Sequence, residues 1–147
     1  LRSYAADLLN AGISEKHSVE VEISSEAETA VIDCDARLIS RAIGNLVQNS
    51  INHNPQGCDI FLSLDCSSVN VSITVADNGV GMSVEKLREL EEKPHYMEST
   101  DERLDLRHGL GLLLVRQIVE AHNGTVEIKN SLNQGAITIL TLAKVLL

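Results

Sequence analysis

Aromatic side chains are nearly missing from this chain. Phe61, Tyr4 and Tyr96 are the whole set in 147 residues, and there is no Trp. The core must be built from Leu, Ile, Val and Ala, and a base-stacking platform for single-stranded nucleic acid has no residues to stand on. Basic residues are also short: 12 Lys and Arg face 21 Asp and Glu, a formal charge of -9. Such a domain repels a phosphate backbone, which argues against a nucleic-acid partner. It does not exclude one small phosphate ligand, because local donors and a metal ion override the global field. The three cysteines, Cys34, Cys58 and Cys66, form no CxxC pair and are odd in number. They read as free thiols in a reducing compartment, not as a zinc site or a disulfide framework. No apolar run approaches the roughly 18–20 residues of a membrane span. The first residues, Leu1-Arg2-Ser3-Tyr4, lead into no signal-peptide core. The chain does not start with Met, which is compatible with a piece of a longer protein.

What is present is ordinary for one globular domain: 44% hydrophobic and 22% charged residues. Residues 1–12 read as a helix end closed by Asn10-Ala11-Gly12. Residues 18–24 alternate Val19, Val21 and Ile23 with Glu20, Glu22 and Ser24, a half-buried strand. Ala30 to Cys34 reads as a second short extended run. Asp33 or Asp35 then caps a helix to about Asn52, with Ile39, Ala42, Ile43 and Leu46 at helical spacing. Asn54-Pro55-Gln56-Gly57 is a turn. Residues 59–65 and 69–76 form a hairpin, with Ile60, Leu62 and Leu64 on one inward face and Val69, Val71, Ile73 and Val75 on the other. A short helix is expected at 84–91, a buried helix at 109–122, and a last hairpin at 125–130 and 136–143. The expected fold is α+β: a two-layer sandwich of a mixed, mostly antiparallel sheet with its helices on one face.

Three clusters stand out. Asn45, Asn49 and Asn52 recur at i, i+4 and i+7. Asn costs roughly 0.5 kcal/mol per residue against Ala in a helix, and its amide ligates Mg²⁺ or donates to phosphate. A solvated face more often holds Glu, Lys or Gln. Asp77-Asn78-Gly79-Val80-Gly81-Met82 comes directly after a strand; its glycines admit a ligand close to the backbone, and its carboxylate can accept from an exocyclic amine such as adenine N6. Read alone it is also a common tight turn. His108-Gly109-Leu110-Gly111-Leu112 opens an apolar helix, and exposed N–H groups there suit an anion. It is neither a Walker A loop nor a Rossmann turn.

In this order the clusters resemble the boxes of the GHKL nucleotide-binding superfamily. Asn45-Leu46-Val47-Gln48-Asn49-Ser50 resembles its N box, Asp77 to Met82 its first Gly-rich box, and Gly109 to Leu112 its second. The run from Leu113 to Gly124 is similar to the stretch after that box in bacterial sensor histidine kinases. The resemblance covers residues 18–143. It implies an ATP-binding catalytic domain over 13–147, with an ATP lid at 83–108 and residues 1–12 as the end of a preceding helical dimerisation and phosphoacceptor region. It further implies that Asp77 binds the adenine amino group, that Gly79, Gly81 and Met82 lie against the purine, and that Asn49 holds Mg²⁺ with Asn45 beside it. His108, Gly109, Leu110, Gly111 and Leu112 would form the hinge and the phosphate-facing helix end.

The sequence departs from that pattern in two places. Asn52 and His53 stand where a basic and an aromatic residue are usual; His53 can still stack on the nucleotide, but Asn52 brings no charge. The lid has no Phe, so its F box is absent or replaced by Tyr96-Met97, and the basic lid contact falls to Lys93, Arg103, Arg107 or His108. None of His17, His53, His95, His108 and His122 has an acceptor-like setting. The implied activity is therefore transfer of the ATP γ-phosphate to a histidine of a separate helical domain, in a homodimeric sensor with a response regulator downstream. The domain would be the cytoplasmic part of a membrane sensor. Two rivals share the boxes. A GHKL ATPase would place Glu at Asn45, and an amide is no general base near pH 7. A free-standing anti-sigma-type kinase would differ in the segment before residue 1.

Overall fold

The computed structural model describes Asp7 and residues 15–92, 110–131 and 134–146. Apart from Asp7, the helix end expected at 1–12 lies outside the described residues. Among the described residues, five strands and three helices run in the order β1 (His17–Ile23), α1 (Ala36–His53), β2 (Cys58–Cys66), β3 (Asn70–Asp77), α2 (Val84–Glu92), α3 (Leu110–Ala121), β4 (Thr125–Asn130) and β5 (Ala136–Ala143). The strands form one sheet in the order β1-β2-β3-β5-β4. β1 and β2 are parallel, because α1 carries the chain back between them; every other pair is antiparallel. The α+β expectation holds.

α1 starts where Asp35 accepts hydrogen bonds from the Arg37 and Leu38 amides at 3.0 and 3.3 Å. Its Ile39, Ala42, Ile43, Leu46 and Val47 are buried. They meet Leu112, Val115, Ile118 and Val119 of α3, and both helices cover Ile60, Leu62, Ile73, Val75, Leu140 and Leu142 of the sheet. Each such side chain contributes about 1.5–3 kcal/mol on full burial, so an almost aromatic-free core suffices. His122 ties the two helices at their ends. Its Nδ1 lies 2.7 Å from the Ile118 carbonyl, and its Nε2 accepts the Asp35 amide at 3.0 Å. Both bonds need the neutral ring with the proton on Nδ1.

Two expectations fail. Ala30–Cys34 forms no strand: after a 3₁₀ turn at Ala27–Thr29 this stretch makes a single backbone bond to the C-terminal tail, Val145 N–H to the Val31 carbonyl at 2.7 Å. With β1 already paired to β2, no further strand lies beside it among the described residues, and Val31 is exposed. Val69 does not face inward. It sits in the β2–β3 turn, where Ser67 Oγ accepts from the Val69 and Asn70 amides, and its side chain is 52% exposed.

Candidate functional site

Asp77 ends β3 and is buried, with 6% of its surface exposed. A buried carboxylate needs donors, and three supply them. Oδ1 accepts the Gly79 amide at 2.9 Å and the Ala136 amide at 3.3 Å; Oδ2 accepts the Ser50 hydroxyl at 2.8 Å. The carboxylate is therefore fixed in direction by a loop, a strand and a helix at once. Gly135, in the left-handed region at φ +95°, lets the β4–β5 turn lie on the Asp77 backbone: a Cβ there would run into the Asp77 carbonyl.

The loop after Asp77 is held by asparagines. Gly79 packs directly on the Asn54 amide, leaving no room for a Cβ. Asn54 Oδ1 accepts the Val80 amide at 2.9 Å, and its Nδ2 donates to the Ser50 carbonyl at 2.8 Å. The Asn54 carbonyl accepts from His17 Nε2 at 2.7 Å. Asn78 folds back to Asp59, accepting its amide at 2.7 Å and donating to its carboxylate at 3.0 Å.

A cavity opens beside this loop. Its polar wall is Asn49, Ser50, His53 and Thr138, and its apolar wall is Leu46, Val75, Met82, Leu112 and Ala136. An apolar wall facing a few convergent polar groups is the usual make-up of a small-ligand site. Asn49 also meets the start of α3: a Cβ on Gly111 would stand 3.3 Å from its Oδ1, so the glycine lets the helix approach that amide. Burial, and then the Asp77 and Asp59 charges, push the Cys58 thiol above its ordinary range, against a lowering bond from Asn54. Cys58 thus stays a protonated thiol near neutral pH and offers no nucleophile.

The structure thus brings Asn49, His53, Met82 and Leu112 to one cavity; Asp77, Gly79 and Gly81 are not in its wall but reach it through Ser50, which bonds Asp77, and through Met82, which follows Gly81. Asn45 is half-buried one turn away, outside the cavity wall. Asn52 is exposed and accepts from Gln48 Nε2 at 2.9 Å. Leu110 opens α3. His108 and Gly109 lie outside the described residues, as do the lid candidates Lys93, Tyr96, Met97, Arg103 and Arg107; α2 occupies the first part of the expected lid. Sequence reasoning missed Ser50, Asn54, Thr138, Gly135 and Asn130. Ser50 stands directly after Asn49 and was open to inspection. Asn130 and Gly135 act 48 and more residues away, with no local pattern.

Residues 34–145 match the family described as histidine kinase-, DNA gyrase B- and HSP90-like ATPase. The heme sensor protein HssS of Staphylococcus saprophyticus is 30% identical over 123 residues, 84% of this chain and 26% of that protein. Sporulation kinase B of Bacillus subtilis is 32% identical over 126 residues, 85% of this chain and 28% of the kinase. This chain therefore spans less than a third of the length of either relative. The ATP binding domain of PrrB from Mycobacterium tuberculosis superposes with a TM-score of 0.72 at 25% identity, covering 98% of this chain and 90% of that one. The catalytic domain of the histidine kinase ThkA does so at 0.77 and 22% identity, covering 97% and 90%, a likeness of fold. The chain belongs to the histidine kinase-, DNA gyrase B- and HSP90-like ATPase family.

Proposed function

We propose that this domain holds Mg-ATP in the cavity beside Asp77 and presents the γ-phosphate to a histidine of a separate helical domain of the same protein. The observation that supports it best is the buried Asp77 carboxylate, aimed by three donors beside a cavity with an uncharged polar wall. Asp77 accepts the adenine amino group on Oδ2, the oxygen that also takes the Ser50 hydroxyl, while Oδ1 stays on the Gly79 and Ala136 amides. Val75, Met82, Leu112 and Ala136 give the base its apolar surroundings, and His53 closes one side. The amide oxygen of Asn49, with Asn45 one turn before, suits Mg²⁺, a hard cation that takes few protein oxygens and keeps several waters. The metal supplies charge neutralisation on the phosphates. The second glycine box, Gly109 and Gly111, lets the phosphates approach the main chain where α3 begins.

Phosphoryl transfer depends mostly on positioning and charge stabilisation. The imidazole of the acceptor histidine attacks with its own lone pair, the γ-phosphorus–oxygen bond to ADP breaks, and ADP leaves. No residue of this chain has to remove a proton from water. Asn45 cannot do so, which disfavours hydrolysis. Of the described histidines, His17 is buried on the Asn54 carbonyl, His122 joins two helix ends and His53 lines the cavity. In this reading the acceptor belongs to another domain, and a response regulator takes the phosphate from it. We place the domain on the cytoplasmic side of a homodimeric membrane sensor.

The test is transfer in trans. The purified chain, radiolabelled ATP and the helical region of the same protein are mixed with Mg²⁺. An acid-labile, alkali-stable phosphate on a histidine of the helical region is expected, with no label on this chain. Steady-state hydrolysis by the chain alone, lost in Asn45→Ala, would overturn the reading in favour of an ATPase.

A further inference from the structure

Gly81 is the one residue of the Asp77–Met82 segment in the left-handed region, at φ +74°. A free loop with such a glycine has many shapes, since Gly samples positive and negative φ alike. This one is pinned on both sides of it. Before Gly81, the buried Asn54 holds the Val80 amide at 2.9 Å. After it, Asn130 at the end of β4 holds both main-chain groups of Met82: its Oδ1 accepts the Met82 amide at 2.8 Å and its Nδ2 donates to the Met82 carbonyl at 2.7 Å. The side-chain amide imitates one rung of a β-ladder where no strand runs. Asn130 Oδ1 also stands 3.0 Å from where a Gly81 Cβ would be, so amide and glycine fit one another. Met82 lines the cavity, and the next residue, Ser83, caps α2 through its Oγ on the Lys86 amide at 3.1 Å.

We propose that Asn130 is a positioning residue of the nucleotide site, fixing the Gly81–Met82 main chain and with it the wall against which the base lies. The proposal rests on the reading of this cavity as the adenine site. A shorter or apolar side chain leaves the Met82 amide and carbonyl to water and releases the loop on the C-terminal side of Gly81. Asn54 still holds the other side, so the fold survives while the base wall loosens. Asn130 is itself exposed, so its truncation leaves no cavity in the core.

The experiment compares wild type and Asn130→Ala by calorimetric titration with Mg-ATP and Mg-GTP, by melting without nucleotide, and by amide hydrogen exchange at Met82. Expected are a loss of ATP affinity of about five- to tenfold, the usual worth of one or two hydrogen bonds, and a much smaller loss for GTP. Met82 exchange should be faster, with an unchanged rate at Val75 and a melting temperature within a few degrees. ATP affinity within twofold of wild type, equal losses for both nucleotides, or unchanged Met82 exchange would overturn the role of Asn130. Wild-type protein that binds neither nucleotide would instead overturn the reading of the cavity itself.

Discussion

Asp77→Asn isolates the chemistry of base reading from the folding of the loop. The two side chains have nearly the same shape, so packing is kept. The new amide can leave its oxygen where Oδ1 is, on the Gly79 and Ala136 amides, and put its NH₂ where Oδ2 is. Ser50 then turns its hydroxyl from donor to acceptor, a change open to any hydroxyl. The fold trades charge-assisted bonds for neutral ones in the same places, at a cost of about 1 kcal/mol. The ligand sees a larger change, because the group facing its amino nitrogen becomes a donor. A hydrogen bond to a charged acceptor is worth about 1.5–3 kcal/mol, so ATP should bind about 10- to 150-fold more weakly. GTP presents a carbonyl at that edge and should lose little or gain, so the preference for ATP should vanish. Calorimetric titration of both nucleotides into both proteins measures this. The reasoning is refuted if Asp77→Asn keeps wild-type ATP affinity, or if wild type already binds ATP and GTP alike.

The same geometry sets three further outcomes. Gly135→Ala should destabilise by more than about 2 kcal/mol, since it combines φ +95° with a collision on the Asp77 carbonyl; a urea midpoint close to wild type would contradict it. Asn49→Ala should abolish the magnesium dependence of ATP binding while sparing much of the metal-free ADP affinity, checked by titration with and without Mg²⁺. The Cys58 and Cys34 thiols are both raised, chiefly by burial and then by neighbouring carboxylates, so the folded state holds their protons longer than the unfolded chain. Stability should therefore fall as pH rises through the ordinary thiol range near about 8.5, and the Cys34→Ala/Cys58→Ala protein should show a shallower fall in urea titrations between about pH 8 and 9.5.

Elements with a clean period were legible in the sequence. The α1 stripe from Ile39 to Leu46 and both hairpins were found where alternation or helical spacing expected them, and of the two candidate caps, Asp33 and Asp35, the helix uses Asp35. Ala30–Cys34 shows the limit, because a run that suits a strand becomes one only with a partner edge. The Asn cluster shows another. On a helix advancing about 100° per residue, Leu46, Asn49, Ser50 and His53 span one sector, and all four line the cavity. Asn45 and Asn52 fall about 40° and 60° to the other side of Asn49. Three asparagines at i, i+4 and i+7 thus share a stripe whose edge, not centre, faces the cavity. The grip of Asn130 on Met82 and of Gly135 on Asp77 was illegible for a different reason. Both depend on the β4–β5 hairpin lying beside the end of β3, which only the sheet order settles.

The charge of the chain and the chemistry of the cavity pull in opposite directions, and the sheet separates them. Glu20, Glu22, Asp65 and Glu127 alternate with inward residues and point to the face away from the helices. On that exposed face they meet solvent and salt, which screen their action along the surface beyond about 8 Å. The cavity lies on the other face, and its polar wall of Asn49, Ser50, His53 and Thr138 holds no carboxylate. The Asp77 charge behind that wall is met by three donors. Long-range repulsion therefore acts on polyanions that must lay many phosphates along the surface, and acts weakly on one nucleotide entering base first. Among the described residues the wall holds no Lys or Arg, so under the proposed reading the base end would supply affinity through direction and burial. The phosphate end would then depend on main-chain donors and a metal ion, a place that the neutral, oxygen-bearing Asn49 amide suits.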